Sequence, residues 1–146
     1  MDTTNRPLPS PTELTEPFWR AAREGRIDVQ CCKACGTLQF YPREICTQCM
    51  SDGFDWKTCS GLGRVYTYTI NHRAANAYMK GRTPYAVAVV ELDEGVRLMG
   101  NIVDTDLDAI AIGARVQAVF EAVNDEITLI QYKVIADDAG SPVASE

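Results

Sequence analysis

The chain has 146 residues, of which 46% are hydrophobic, and it carries a net charge of −6 with a pI near 4.8. This length suits one domain of ordinary size or two very small ones, and the acidic balance argues against a surface built mainly to bind nucleic acid. No segment approaches the roughly 18 consecutive apolar residues of a membrane span, and the first residues lack the pattern of a secretory signal. We therefore expect a globular protein of the cytoplasm with no membrane partner.

The two ends of the chain have the composition of disordered segments. Residues 1–13 contain three prolines among small polar residues, and residues 136–146 are rich in Asp, Ala, Gly and Ser. Neither segment can bury enough apolar area to offset the entropy lost on ordering. The sequence predicts a disordered arm over 1–13 and a disordered tail over 136–146.

A short helix is predicted after the arm, from Thr15. Pro17 suits a first helical turn, Phe18 and two alanines share one face, and Gly25 can end the helix. A helix this short cannot stand free in water. We expect it to pack on the rest of the protein, although its apolar face could also bind a partner.

Four cysteines in two C-x2-C pairs form the strongest motif of the chain. Each pair turns two sulfurs toward one ion, and two pairs complete the tetrahedral coordination of a structural zinc, which leaves no open position for a reacting water. In the reducing cytoplasm this spacing favours a metal over disulfides. The predicted zinc ligands are Cys32, Cys35, Cys46 and Cys49.

Two alternatives for this metal site stay open. The spacing from Cys31 to Cys35 is also usable, although the glycine after Cys35 favours Cys32 as the ligand. Iron also binds in tetrahedral thiolate cages, and it would imply electron transfer. The absence of a glycine after Cys49, where Met50 stands, counts against that function.

The second half of the chain has the alternating, β-branched pattern of strands separated by turns. Five short strands with one longer connection suit a closed barrel of the OB type, which leaves no exposed sheet edges. We predict a helix and ribbon-like metal unit over residues 14–60 and the barrel over 61–135. The five predicted strands are 64–70, 85–92, 96–103, 115–122 and 127–135.

A catalytic site is hard to assemble from this sequence. Cys59 would need a neighbouring base to act as a nucleophile, and His72 is the single histidine. No third group that could orient such a pair is evident. A buried, unreactive Cys59 is the simpler interpretation.

The segment between Asp55 and Glu91 contains no acidic residue in an otherwise acidic chain. Ordinary solvated loops can explain this, but a local basic surface can also bind an anionic ligand such as the phosphates of coenzyme A. The candidate contacts to coenzyme A or to a partner are Arg73, Lys80 and Arg82.

The order of motifs resembles the thiolase-associated proteins, a family long catalogued as a domain of unknown function, in which a rubredoxin-like zinc ribbon precedes an OB fold. The resemblance covers about residues 14–135. It rests on Pro17-Phe18-Trp19, Cys32-x-x-Cys35-Gly36, Tyr41-Pro42-Arg43-x-x-Cys46-x-x-Cys49, Ser60-Gly61-x-Gly63-x-Val65-Tyr66 and Pro84-Tyr85-x-x-Ala88-x-Val90.

This resemblance implies a non-catalytic, zinc-containing subunit. Such a subunit binds a thiolase or a thiolase-like acyl-CoA aldolase, or in some relatives a hydratase, in a hetero-oligomer and helps to form the acyl-CoA site. The alternative function is a single-stranded nucleic-acid binder, because OB folds bind strands through basic grooves with stacking aromatic rings. Tyr66, Tyr68 and Tyr78 could supply those rings, but the net charge counts against this function.

Overall fold

The computed structural model describes residues 6–136, which form one helix, a small three-stranded sheet and a closed five-stranded barrel. The predicted fold class, mainly β with an N-terminal helix, a zinc-ribbon region and an OB-type barrel, is confirmed. No helix within residues 6–136 is long and apolar enough to span a bilayer. The elements are α1 (Glu16–Arg23), β1 (Ile27–Cys32), β2 (Leu38–Gln39), β3 (Phe54–Cys59), β4 (Leu62–Asn71), β5 (Tyr85–Leu92), β6 (Arg97–Ile102), β7 (Arg115–Ala122) and β8 (Thr128–Val134), with 3-10 turns at Ala77–Met79 and Leu107–Ala109.

Helix α1 forms where the sequence predicts it, with a proline in its first turn. Its buried face consists of Phe18, Trp19, Ala21 and Ala22, whose 3,4 spacing places them on one side. The helix contacts β1 of the small sheet and also β7 and β8 of the barrel. Its apolar face therefore joins the two parts of the protein.

The small sheet has the order β2-β1-β3, and both pairings are antiparallel. Strand β1 runs into Cys32, the first of the four clustered cysteines. Strand β3 pairs with β1 over its whole length, from Ile27↔Cys59 to Cys32↔Phe54. The first metal-binding turn therefore leaves directly from the central strand of this sheet.

The barrel closes in the order β4-β5-β6-β8-β7, with β7 paired back to β4. Its strands match the five predicted ones within a few residues, and buried and half-buried positions alternate along β5 as the period of two requires. Most neighbouring strands pair over several residues. The parallel contact between β6 and β8 is the exception, with one registered pair at Ile102↔Tyr132.

Gly63 marks a close approach of β4 and β5. It pairs with Leu92 on one side and with Val116 on the other, which places it between two neighbouring strands. A Cβ atom at Gly63 would lie 2.4 Å from the carbonyl oxygen of Glu91. A side chain there would force the backbones apart where the barrel closes.

The predicted disordered segments fall partly outside the described residues, which leave out 1–5 and 137–146. Residues 6–12 of the arm have no helix or strand. Arg6 nevertheless makes two hydrogen bonds to the carboxylate of Glu121, at 2.8 and 3.0 Å. This contact spans 115 positions of sequence, so local composition could not predict it.

Candidate metal centre and neighbouring groove

The four predicted ligands lie together. The sulfur atoms of Cys32, Cys35, Cys46 and Cys49 are all within 4.8 Å of one another, with Cys32 3.5 Å from Cys49 and Cys35 3.7 Å from Cys46. Four sulfurs bound tetrahedrally at about 2.3 Å from one zinc ion stand about 3.8 Å apart. The donor set therefore fits a structural zinc.

The two metal-binding turns repeat the same backbone hydrogen bonds. In the first turn, the Cys32 N–H donates to the carbonyl of Thr37 at 2.9 Å, and the Gly36 N–H donates to the carbonyl of Cys32 at 2.9 Å. In the second turn, Cys46 N–H donates to Ser51 at 2.8 Å, and Met50 N–H donates to Cys46 at 3.0 Å. Positions 32, 35, 36 and 37 of the first turn therefore correspond to positions 46, 49, 50 and 51 of the second turn.

Met50 occupies the position that glycine holds in the first turn. Gly36 has a φ of +78° and Met50 a φ of +68°, so both residues are in the left-handed region. That region is open to glycine but costs an L-residue roughly 1–2 kcal/mol. The lack of a glycine after Cys49 therefore does not change the shape of the turn, and it gives no argument about which metal is bound.

Each turn also places a hydroxyl group beside its second cysteine. Thr37 Oγ1 lies 3.1 Å from the sulfur of Cys35, and Ser51 Oγ lies 3.3 Å from the sulfur of Cys49. Hydrogen bonding with the side chain and backbone of Ser51 lowers the pKa of Cys49 to about 6. These hydroxyl groups were missed by the sequence prediction, although C-x2-C-x-Thr and C-x2-C-x-Ser repeat at the same spacing.

Two buried glutamines connect the second turn to the central strand. Gln30 is 1% exposed, and its side-chain carbonyl accepts hydrogen bonds from Gln39 Nε2 at 2.8 Å and from the N–H of Arg43 at 2.9 Å. The Gln30 amide donates to the carbonyl of Arg43 at 2.9 Å, and Gln39 Oε1 accepts from the N–H of Thr47 at 3.0 Å. The glutamines therefore hold the chain on both sides of Cys46.

Cys31 stands apart from the four clustered sulfurs. Its thiol lies 3.8 Å from the carbonyl oxygen of Gly36, on the outside of the first turn. Because β1 alternates its side chains, Cys31 and Cys32 point to opposite faces. The geometry favours Cys32 as the partner of Cys35.

Cys59 lies at the end of β3, and its side chain is buried with 6% exposure. Burial and the neighbouring charge of Glu94 raise the pKa of its thiol to about 12. A thiol that stays protonated is a poor nucleophile. His72, the base that the sequence offered, is exposed and is not among the groups that act on Cys59.

The apolar loop between the cysteine pairs forms part of an aromatic cluster with the helix. The ring of Phe40 lies 5.1 Å from the ring of Phe18, and Trp19 Nε1 donates a hydrogen bond of 3.0 Å to the hydroxyl of Tyr41. The cluster fixes the helix against the small sheet. Tyr41 is the most exposed member, at 37%.

A surface groove begins at this cluster and follows the gap between β6 and β8. Its apolar end is lined by the aromatic residues and by Leu98, Met99 and Ile130. Met99, Gly100, Leu129 and Gln131 also line the next section, of about 420 Å³, which in turn shares its lining with a smaller third section. Adjacent sections therefore share lining residues, and we call the three sections together the groove.

The groove exists because the ladder between β6 and β8 stops after one pair. Beyond Ile102↔Tyr132, the N–H of Asn101 donates to the side-chain carbonyl of Gln131 at 2.7 Å instead of to a strand backbone. Gln131 in turn donates to Glu121 at 3.2 Å. A side chain thus holds the strands where backbone pairing ends.

The far end of the groove is basic. Arg6 and Arg82 line it, and both guanidinium groups lie over the ring of Tyr78, at 4.6 and 4.2 Å from its centre. The hydrogen bonds from Arg6, reinforced by Gln131 and by the charge of Arg82, lower the pKa of Glu121. Arg6 escaped the sequence prediction because it lies in the arm, far from the acid-free segment.

The three predicted basic contacts do not all reach this groove. Arg82 lines it, whereas Arg73 and Lys80 are exposed and are not among its lining residues. All three belong to the connection between β4 and β5. Contact of Arg73 and Lys80 with coenzyme A or a partner stays a prediction.

Comparison with known proteins places this architecture in a family. Residues 19–55 match the model of the ChsH2 rubredoxin-like zinc ribbon domain, and residues 56–121 match that of the ChsH2 C-terminal OB-fold domain. A DUF35 domain-containing scaffold protein of Methanocaldococcus jannaschii is 42% identical over 111 residues, which cover 74% of this chain and 77% of that protein. The chain belongs to the DUF35 family. The resemblance drawn from the order of motifs is thereby confirmed.

The names of two other similar proteins describe parts of larger enzymes. The benzoylsuccinyl-CoA thiolase subunit BbsA of Geobacter metallireducens is 30% identical over 70% of this chain and 68% of its own length. A chain of the solved Ltp2-ChsH2(DUF35) aldolase superposes with a TM-score of 0.77 at 33% identity, covering 87% of this chain and 98% of that chain. The DUF35 fold seen here is therefore shared with a protein solved as part of an aldolase.

Proposed function

We propose that this DUF35 protein is a non-catalytic, zinc-containing accessory subunit of a thiolase or thiolase-like acyl-CoA aldolase, and that its groove contributes to acyl-CoA binding. The relatives named as a scaffold, a thiolase subunit and part of an aldolase support the partner class. The zinc ribbon supports a structural metal.

The observation that carries the non-catalytic role is the chemistry of the groove. Its described lining residues include aromatic, aliphatic, amide and guanidinium groups but no cysteine or histidine. The carboxylate among them, Glu121, accepts two hydrogen bonds from Arg6. Such a surface can bind and orient a long amphipathic ligand, while a partner would have to supply the nucleophile and the base.

The groove also has the polarity that an acyl-CoA requires. Its apolar end suits an acyl chain, its middle offers amide groups, and its basic end suits phosphates. Of the three basic residues predicted from the sequence, Arg82 is the proposed contact to the phosphates. Arg73 and Lys80 are proposed contacts to the partner or to exposed parts of the ligand.

The three tyrosines proposed as stacking rings give little support to the nucleic-acid alternative. Arg97 lies over the ring of Tyr66 at 3.8 Å, and Arg6 and Arg82 lie over Tyr78. A stacked base needs a free aromatic face. In two of the three candidate tyrosines, a guanidinium group already covers a face.

Native co-purification tests the proposal. The chain is expressed together with a thiolase or thiolase-like aldolase from the same organism, and the pair is isolated through a tag on the partner. We expect a stable complex whose acyl-CoA activity is lost when the partner's reactive cysteine is replaced and kept in Cys59→Ser. Absence of a complex under native conditions, or activity of this chain alone, would refute the accessory role.

A further inference from the structure

The basic end of the groove is built from two distant parts of the chain. Arg6 comes from the N-terminal arm, and Arg82 comes from the connection between β4 and β5. They meet at Tyr78, and Glu121 of β7 completes the wall. Two positive groups and one negative group give this end of the groove a local charge of +1 within an acidic protein.

Both guanidinium groups are held in place before any ligand arrives. Arg6 binds Glu121 through Nη1 and Nη2, and its side chain is 13% exposed. Arg82 Nε donates to the backbone carbonyl of Tyr78 at 3.2 Å while its guanidinium stacks on the same ring. Fixed donors lose less conformational entropy on binding than mobile ones.

Each arginine keeps donors for a further partner. A guanidinium has five N–H donors, and the contact with Glu121 uses two of the donors of Arg6. The planar fork of an arginine matches the oxygens of a phosphate and binds them with charge-assisted hydrogen bonds. The neighbouring Asn101 and Tyr85 add polar side chains to the same wall.

We propose that Arg6 and Arg82 form a phosphate-binding subsite for the phosphorylated nucleotide part of acyl-CoA, with the N-terminal arm as an essential part of it. The identity of the ligand rests on the proposed function. The subsite gives the groove a direction, since the nucleotide lies at the Tyr78 end and the acyl thioester points toward Phe18, Trp19 and Phe40. The reactive centre of the partner therefore faces the aromatic end.

A titration with adenosine 3′,5′-bisphosphate, the phosphorylated half of coenzyme A, tests this subsite in the zinc-loaded full chain. Binding is followed by chemical shifts in ¹⁵N-labelled protein at low salt, which detects affinities in the millimolar range. We expect saturable shifts centred on Tyr78, Arg82 and Asn101, and weaker binding as salt is raised.

Three variants separate the subsite from general charge attraction. Arg6→Ala and Arg82→Ala should each weaken binding about tenfold, the loss expected for one charge-assisted hydrogen bond. Lys57→Ala removes one positive charge from the same acid-free segment at an exposed position outside the groove lining, and it should leave the affinity within about twofold. Because Arg82 is exposed, its variant is expected to fold even where Arg6→Ala is destabilised.

Two results would overturn the inference. One is the absence of shifts at saturating bisphosphate, and the other is equal weakening by Lys57→Ala and Arg6→Ala. Neither result touches the complex with a thiolase-like protein, which co-purification measures separately. A failed co-purification with intact bisphosphate binding would instead leave the subsite standing and remove the accessory role.

Discussion

The side-chain amide of Gln39 donates a hydrogen bond of 2.8 Å to the side-chain carbonyl of Gln30, and both residues are buried. Through this pair, β1 and β2 hold the backbone of Arg43 and Thr47 around the third cysteine of the metal site. The cysteines supply the donors, whereas the glutamines fix where the second pair stands relative to the first.

Gln30→Ala should therefore weaken the zinc site without touching a ligand. The substitution leaves the buried side-chain amide of Gln39 without its acceptor, at about 1–3 kcal/mol, and removes both hydrogen bonds to the backbone of Arg43. We expect a lower free energy of unfolding and faster transfer of zinc to a chelator. The control is Gln117→Ala on the exposed face of β7, which should behave as the unmodified protein. Equal zinc release in the two variants would contradict the role of Gln30.

Replacing one ligand should remove both the ion and the local fold. Cys46→Ser leaves three thiolates, and a unit this small depends on its metal to fold. We expect elemental analysis to give about one zinc per unmodified chain and much less in Cys46→Ser. Cys31→Ser, which changes an adjacent cysteine outside the cluster, should keep its zinc. Iron in the purified protein, or zinc loss in Cys31→Ser, would require a different metal site.

Because the two metal-binding turns are equivalent, substitutions at Gly36 and Met50 should have opposite effects on the free energy of unfolding. Met50→Gly should raise the free energy of unfolding by up to about 1 kcal/mol, because relief of the left-handed strain exceeds the added chain entropy of glycine. Gly36→Ala should lower it by about 1 kcal/mol for the converse reason. Thermal unfolding of the zinc-loaded proteins measures both. If both substitutions shift the midpoint in the same direction, the turns are not equivalent.

The contact between Arg6 and Glu121 should make a small, pH-dependent contribution to stability. Because the folded pKa of Glu121 lies below its ordinary value, the contribution is present above the unfolded pKa and is lost as the pH falls through the folded one. The stability difference between the unmodified protein and Glu121→Gln, below about 1 kcal/mol for such a half-exposed pair, should shrink between pH 6 and pH 3. Glu44→Gln, which removes an exposed carboxylate away from this contact, serves as the control.

Cys59 should resist modification in the folded protein. Its thiol is buried, and a pKa of about 12 keeps it protonated at pH 8, so little thiolate is available to react. In the zinc-loaded protein, iodoacetamide at pH 8 should label Cys31 before Cys59, as read by peptide mass spectrometry. Rapid labelling of Cys59 in the folded state would contradict its interpretation as a buried, unreactive thiol.

The sequence predicted the elements whose patterns are local. Three patterns each determine structure within a few residues. They are the two C-x2-C pairs, the alternation of buried positions in β5, and Gly25 after the last turn of the helix. The five short strands and the longer connection after the first indicated a closed barrel, which the structure has. The same local reasoning placed Arg82 in a basic segment, but it could not say which of that segment's cations would face the groove.

What sequence reasoning missed are contacts between distant positions. The bond from Arg6 to Glu121 and the replacement of a ladder bond by Gln131 depend on how the barrel closes, and no periodicity reveals them. The glutamine pair was missed because buried amides look like surface residues in a sequence. The hydroxyls of Thr37 and Ser51 were detectable in principle, since the two turns repeat the spacing.

The single registered pair between β6 and β8 has a consequence for the motions of the barrel. Backbone pairing is what protects amide hydrogens from exchange, and this seam has the least of it. The barrel is therefore least cohesive along the wall where its ligand would lie. A ligand or partner bound there would slow hydrogen exchange at the amides of Met99 and Ile130. Exchange at these two amides would therefore report whether the groove is occupied.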